Sequence, residues 1–234
     1  MSQRHFPLAN SILSAQSLVP RVLSKFALPS PACCYFLNPG LNDTYAVTAG
    51  SAKHIMRVYR HGWRTKSQIQ AELEMLTFLH QHKLPVSYPI KRKDNSFLTR
   101  IAAPEGVRYA ALFTHAPGRP MEVNAKNSHA YGELLARMHL CLDNRDEDPR
   151  RFHLDLGYLV DDSLRHVAPY LQHRSDDLDF LTKIGTELTL RLQGFLQSTG
   201  PEYGFCHGDH YGGNVHVDER GRMTVFDFDC YGYG

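Results

Sequence analysis

Residues 206–217 read CHGDHYGGNVHV and residues 225–229 read VFDFD, and these two stretches decide how the chain folds. Asp209 and Asn214 stand five positions apart and Asp227 thirteen beyond Asn214, so carboxylate and carboxamide groups recur through an otherwise apolar segment. NVHV and MTVFDF alternate like strands, and residues 218–221 between them carry turn chemistry, so a small hairpin is expected to close the chain. Gly212 and Gly213 give the loop before Asn214 room for a tight path.

Upstream of this segment the pattern is helical. Leu178, Leu181, Ile184, Leu188, Leu192 and Phe195 step by three and four, and Ala130, Leu134, Met138 and Leu142 recur every four. Two amphipathic helices with core leucines follow, one of them over 176–196, where Asp176, Asp177 and Asp179 complement the helix dipole. Farther upstream the period changes to two. CYFLNPGLNDTYAV (34–47) offers two strands around an Asn38-Pro39-Gly40 turn, HIMRVYR (54–60) another, and SFLTRI (96–101) and RYAALFT (108–114) two more. One helix interrupts them over 67–82, with a capping-box pattern over 67–70 and apolar Ile69, Leu73, Leu76 and Leu79. A short helix over 18–26, with Pro20 in its first turn, precedes the strands. The expected fold is α+β with two lobes: a β-rich lobe over 1–117, and a mainly helical lobe over 118–234 that carries the hairpin. Gly118-Arg119-Pro120 is the expected joint.

Composition narrows the partners. The 234 residues are 42% hydrophobic and carry a formal charge of +2, with no long run of like charges, so neither a nucleic-acid tail nor a polybasic membrane anchor is expected. No stretch reaches the roughly 18 apolar residues of a membrane helix, and Asn10, Ser14, Gln16 and Ser17 break the N-terminal apolar residues too often for a signal peptide. Five cysteines without C-x-x-C spacing suit a reducing cytoplasm and behave as small buried hydrophobes.

With these elements in order, HGDHYGGN resembles the HGDxxxxN catalytic loop of the aminoglycoside phosphotransferase and choline kinase-like family, and Asp227 falls where that family carries its metal-binding Asp. Residues 40–45 (GLNDTY, with Asn42) resemble its nucleotide loop, Arg57 takes the phosphate-contacting strand position, and Glu72 in QAELEML resembles the glutamate of the inserted helix. YGELLARMH (131–139) resembles the helix after the joint, and the VYRHGWRTKSQIQAE stretch is most similar to the bacterial stress-response Ser/Thr kinase branch. The resemblance implies a protein kinase-like fold, ATP and Mg²⁺ as cofactors, and a hydroxyl-bearing acceptor that is a small molecule or a protein Ser/Thr. Asp209 would then accept the acceptor hydroxyl's proton or hydrogen bond, while Asn214 and Asp227 would offer oxygens to Mg²⁺. Arg57, oriented by Glu72, would clamp phosphates, and the backbone of Thr114 and Ala116 would meet adenine.

Simpler readings stand beside these. Asp209 alone is a turn cap, Glu72 alone one end of a helix salt bridge, and Asp229 a second acidic ligand or a cap. His207 is expected to brace the loop. The family commonly has Lys where this chain has Arg57, whose planar fork reaches differently. The family also continues past the point where this chain stops, so the helical lobe is expected to be incomplete at Gly234, with acceptor identity hidden. Two alternatives remain open: a metal-dependent hydrolase built on His207, Asp209 and Asp227, with His210 and His216 as further donors, and a non-catalytic nucleotide-binding module.

Overall fold

The period-two segments become a five-stranded antiparallel sheet in the computed structural model, which describes residues 8, 10–143, 145–194 and 203–234. The chain starts with α1 (Ala15–Arg21), whose N-cap Ser14 accepts from the Ser17 N–H, and a 3-10 turn follows at Leu23–Lys25. The helix therefore begins earlier than its sequence suggests. Pro20 lies near its end, where the ring removes only one helical hydrogen bond. Then come β1 (Ala32–Pro39), β2 (Asp43–Ala49), β3 (Ala52–Val58), α2 (Lys66–Gln81), β4 (Thr99–Ala103) and β5 (Gly106–Thr114). Strand order is β1-β2-β3-β5-β4, all neighbours antiparallel.

In β2 burial alternates residue by residue, so Tyr45 and Val47 face one side, where with Met56 and Leu112 they pack against Leu18, Val22, Leu23 and Phe26. Helix α2 starts on Thr65, not Ser67: the Thr65 hydroxyl accepts from the Gln68 N–H at 3.2 Å and the Gln68 side chain accepts from the Thr65 N–H at 2.9 Å. The box is shifted because Thr65 and Gln68 supply the same i, i+3 pattern two residues earlier.

After β6 (Arg119–Pro120), the long helix α3 (Ala125–Leu142) buries Tyr131, Leu134, Met138 and Leu142. A π-helical turn at Gly157–Asp162 leads into α4 (Ser163–Val167), and α5 (Ser175–Leu192) follows. The expected continuation of α5 through Phe195 and Leu196 lies outside the described residues. Its expected stripe is not core: Leu181, Ile184, Leu188 and Leu192 are exposed. Periodicity locates an apolar stripe but does not supply what covers it. The chain ends with β7 (Phe205–Cys206), β8 (Val215–Val217), β9 (Met223–Val225) and β10 (Gly232–Tyr233).

The hairpin forms as β8 and β9, but β9 stops at Val225 because Asp227 adopts a left-handed backbone (φ 66°, ψ 60°) that opens a 3-10 turn at Phe228–Cys230. Arg119 and Pro120, of the expected joint, form β6 of a three-stranded sheet in the order β6-β8-β9. Gly118 has φ +97°, and a Cβ there would stand 2.0 Å from the Val217 carbonyl oxygen, so only glycine lets β6 approach β8. Two compact units result: residues 1–127 with 211–226, and residues 128–210 with 227–234. The hairpin is thus part of the first unit, where Val225 exchanges backbone hydrogen bonds with residues 85–87. In the second, β7 pairs with β10, and Leu154 N donates to Tyr233 O at 2.6 Å. All five cysteines are free thiols, and only Cys34 is buried. No helix among the described residues is long and apolar enough to cross a membrane.

Candidate active site

In the first unit, Arg57 and Glu72 meet. Thr44 pairs with Arg57 on the β2–β3 ladder, which puts Arg57 one residue from the end of β3, and α2 carries Glu72 beneath it. Arg57 Nη1 lies 3.0 Å from Glu72 Oε1, and Tyr59 Oη donates to Glu72 Oε2 at 3.0 Å. Glu72 is fully buried, so a carboxylate there requires such charge-assisted partners. The Arg57 guanidinium also lies over the Phe113 ring, 5.4 Å from its centroid. Both halves of the expected phosphate clamp are therefore held by groups around them.

The remaining first-unit residues serve the fold as well. Asn42 Oδ1 accepts from the Arg60 N–H at 3.1 Å, tying the 40–43 loop to the chain leaving β3. Thr114 is committed to its neighbours: its N–H donates to Tyr88 O at 3.0 Å and its carbonyl accepts from Ser87 Oγ at 2.6 Å. Ala116 O lies 2.9 Å from His216 Nδ1, while among the described residues the Ala116 N–H has no hydrogen-bond partner. Asn214 is buried at the end of a 3-10 turn (Gly212–Asn214), and its carbonyl accepts from Phe226 N at 3.0 Å, the residue immediately before Asp227.

The second unit holds Asp209 and Asp227. His207, fully buried, accepts from the Asp209 N–H through Nδ1 at 3.3 Å and packs against Phe228, with ring centroids 4.2 Å apart. Gly208 between His207 and Asp209 has φ +80°, and a Cβ there would stand 2.2 Å from the Cys230 carbonyl oxygen. The glycine whose backbone this loop requires is thus Gly208 rather than Gly212 or Gly213: neither of the latter has a left-handed backbone, and at Gly213 the nearest atoms a Cβ would meet belong to the Tyr211 side chain. Asp209 itself is exposed.

Sequence reasoning missed the contacts of three residues of this unit, one of which, His210, it offers only as a metal ligand of the hydrolase alternative. Tyr131 Oη and His210 Nδ1 are 3.0 Å apart, which ties the residue after Asp209 to α3. Desolvation, then repulsion from His207 and His139, lowers the His210 pKa to about 4 against the opposing pull of Asp209. Burial and the Asp209 charge push the Tyr131 phenol up. Arg151 donates to the carbonyls of Asp229 and Tyr231 at 2.7 and 2.6 Å and stacks on Tyr231, fixing the chain that follows Asp227. YGELLARMH does contain Tyr131, but nothing local marks its hydroxyl for a residue 79 positions away.

Asn214 in the first unit and Asp227 in the second each carry a side-chain oxygen, the donor type that a hard divalent cation takes. A zinc-type centre is a different matter. Among the described residues no three His, Cys, Asp or Glu side chains come together as a metal site.

A family model described as a phosphotransferase enzyme family matches residues 37–234. The chain is 36% identical to an uncharacterized protein of Synechocystis sp. over 231 residues and 34% identical to one of Deinococcus radiodurans over 233. It spans 98% and 100% of itself in these matches but only 64% and 67% of the two relatives' lengths. Amicoumacin kinase hAmiN in complex with AMP-PNP, Ca²⁺ and Ami superimposes with a TM-score of 0.73 at 24% identity, covering 94% of this chain and 66% of that one. A microcompartment-associated aminopropanol kinase gives 0.72 at 23% identity, covering 94% and 70%. Spectinomycin phosphotransferase in complex with ADP and spectinomycin gives 0.65 at 15% identity, covering 95% and 71%. These likenesses show the protein kinase-like fold, and the match over residues 37–234 shows that the chain belongs to the phosphotransferase enzyme family.

Proposed function

We propose that this chain is the nucleotide-binding and catalytic part of an ATP- and Mg²⁺-dependent phosphotransferase that moves the γ-phosphoryl group to a hydroxyl of a small molecule. The observation that carries the reading is the partly exposed Arg57 paired with the buried Glu72, because a cation held at 3.0 Å by an enclosed carboxylate has a fixed direction and suits a phosphate contact. Neighbours named as kinases of aminopropanol and amicoumacin favour a small acceptor over a protein Ser/Thr.

In this reading Arg57 binds the nucleotide's phosphates, and the Ala116 N–H meets the adenine edge. Thr114 supports that segment through Ser87 and Tyr88 rather than offering its own N–H. Asn214 and Asp227 would hold Mg²⁺, which when bound neutralises charge on the phosphates. Asp209, exposed on a loop braced by His207, accepts the hydrogen bond of the acceptor hydroxyl and takes its proton as the new P–O bond forms and the γ-phosphorus–bridging-oxygen bond breaks.

The test is calorimetric titration with AMP-PNP in the presence and absence of Mg²⁺, followed by γ-labelled ATP with a panel of amino alcohols, aminoglycosides and Ser/Thr peptides. Magnesium-dependent nucleotide binding and label transfer to an alcohol are expected. A chain that binds no nucleotide under either condition overturns the reading, and transfer only to peptides would replace the acceptor class.

A further inference from the structure

The family match begins at residue 37, yet residues 11–13 are sewn into the sheet at a buried polar point. That point is Arg108 on β5, whose side chain is fully enclosed. Its Nε donates to Tyr59 O at 2.9 Å, and Nη2 donates to Asp43 Oδ2 at 2.7 Å and Val58 O at 3.0 Å. Nη1 donates to Ser11 O at 2.7 Å and lies 3.4 Å from Glu105 Oε1. The Glu105 carboxylate in turn accepts from the Ser11 hydroxyl at 2.7 Å and from its N–H at 3.3 Å. Two residues on, Leu13 O accepts from the buried Tyr45 hydroxyl at 2.8 Å.

These contacts converge on the loop proposed to hold nucleotide. Asp43 is the first residue of β2 and closes the 40–43 loop; Val58 and Tyr59 follow Arg57 directly; Tyr45 lies two residues into β2. One guanidinium and one backbone segment therefore set where the loop leaves the sheet and where the Arg57 strand ends. A buried cation with all its donors engaged allows few alternative positions for the groups around it.

We propose that Arg108, together with Ser11 and Leu13, is a positioning device for the 40–43 loop, so that a segment preceding the family match sets the affinity for Mg·nucleotide. This rests on the nucleotide-binding reading given above. Ser11 and Leu13 touch no phosphate in this scheme; they act through Glu105, Arg108 and Tyr45 on the backbone that does.

Removing Arg108 itself would strand Asp43 and Glu105 in the interior and is expected to unfold the unit, so the test acts at the periphery. The full chain is titrated calorimetrically with AMP-PNP and Mg²⁺, at a temperature well below melting, as wild type and as Ser11→Ala, Tyr45→Phe, their double variant, Ser11→Thr, Val22→Ala and Arg57→Ala. Each single loss of a hydrogen bond should weaken binding by about fivefold, with Ser11→Thr restoring it. Val22→Ala, which empties space under the same sheet, should lower the melting temperature without changing the dissociation constant. An unchanged constant in the double variant, with Arg57→Ala weakened, overturns the positioning role and leaves the nucleotide reading intact. Equal weakening by Val22→Ala also overturns it, because the effect would then be general loosening. No weakening in Arg57→Ala moves Arg57 out of the site and overturns this inference, which runs through the Arg57 strand, whereas a wild-type chain that binds no AMP-PNP overturns the nucleotide reading itself.

Discussion

Arg57 Nη1 lies 3.0 Å from Glu72 Oε1, and the second oxygen of that carboxylate accepts from Tyr59 Oη. A buried carboxylate shared in this way does more than neutralise a charge: it selects one orientation of the guanidinium plane, and the Phe113 ring, 5.4 Å away at its centroid, limits rotation.

The substitution series at this pair should therefore be graded. Arg57→Ala is expected to weaken Mg·AMP-PNP binding by about tenfold or more, because a charge-assisted contact is lost. Glu72→Gln should weaken it less, since the amide still meets Arg57 and Tyr59 but no longer balances the buried charge. Arg57→Lys is the informative variant. Near-normal affinity would show that a point charge suffices at this position, and a loss close to that of alanine would show that the fork is required. Equal affinity in all three would move Arg57 out of the site.

Why was this pair legible from sequence while Arg108 was not? Arg57 and Glu72 lie in one strand–helix unit, 15 positions apart, in segments whose periods are unambiguous. Arg108 sits in RYAALFT, where an arginine opening a strand looks solvent-facing, and its partners Ser11 and Asp43 are 97 and 65 positions away. The same limit hid the Tyr131–His210 contact. Local errors had local causes: the capping box slid by two residues because Thr65 competes with Ser67 for the N-cap, and β9 ended early because Asp227 turns left-handed. The leucines of α5 look like core in the sequence but most are exposed, because a stripe at helical spacing says which face is apolar, not whether another element lies on it.

Asp209 and Asp227 should separate by readout. Asp209→Asn keeps size and the loop's hydrogen bond from the Asp209 N–H to His207, and it is expected to leave Mg·AMP-PNP affinity within about twofold while lowering turnover about 100-fold or more. Asp227→Asn should do the converse, weakening nucleotide binding in magnesium but not in its absence. Asparagine is the right probe there because it tolerates φ 66°, whereas Asp227→Val would add backbone strain and confuse the two effects. Full turnover in Asp209→Asn would remove it from the chemistry.

Acid should loosen the second unit through His210. Its folded pKa of about 4 lies below the ordinary 6.5, so the unfolded chain takes up a proton first as pH falls. Stability from this group is fully present above about 6.5 and drains away as pH drops toward about 4. Desolvation lowers His54 and His115 as well, so the wild-type melting temperature carries contributions of the same sign from the first unit. His210→Asn should flatten the melting-temperature profile across that window while leaving the His54 and His115 part in place. Parallel curves for the two proteins would show that His210 does not titrate differently in the fold.

The last test concerns the shortest stretch of the site. Gly208 sits at φ +80° with the Cys230 carbonyl where its Cβ would be, and Cys230 cannot retreat easily because Tyr231 N is bonded back to Phe228 O at 3.1 Å across the 3-10 turn. An alanine at 208 adds about 1–3 kcal/mol of backbone strain before the steric conflict is counted. The strain is relieved only by moving residues 207–209, which breaks the bond from Asp209 N to His207 and swings the proposed catalytic carboxylate away. Gly208→Ala is therefore expected to lower the melting temperature by several degrees and turnover by about 100-fold, with nucleotide affinity nearly unchanged. Gly213→Ala is the control, because its conflict is with the exposed Tyr211 ring, which can rotate aside. If both alanines behave alike, the tight passage past Cys230 is not what positions Asp209.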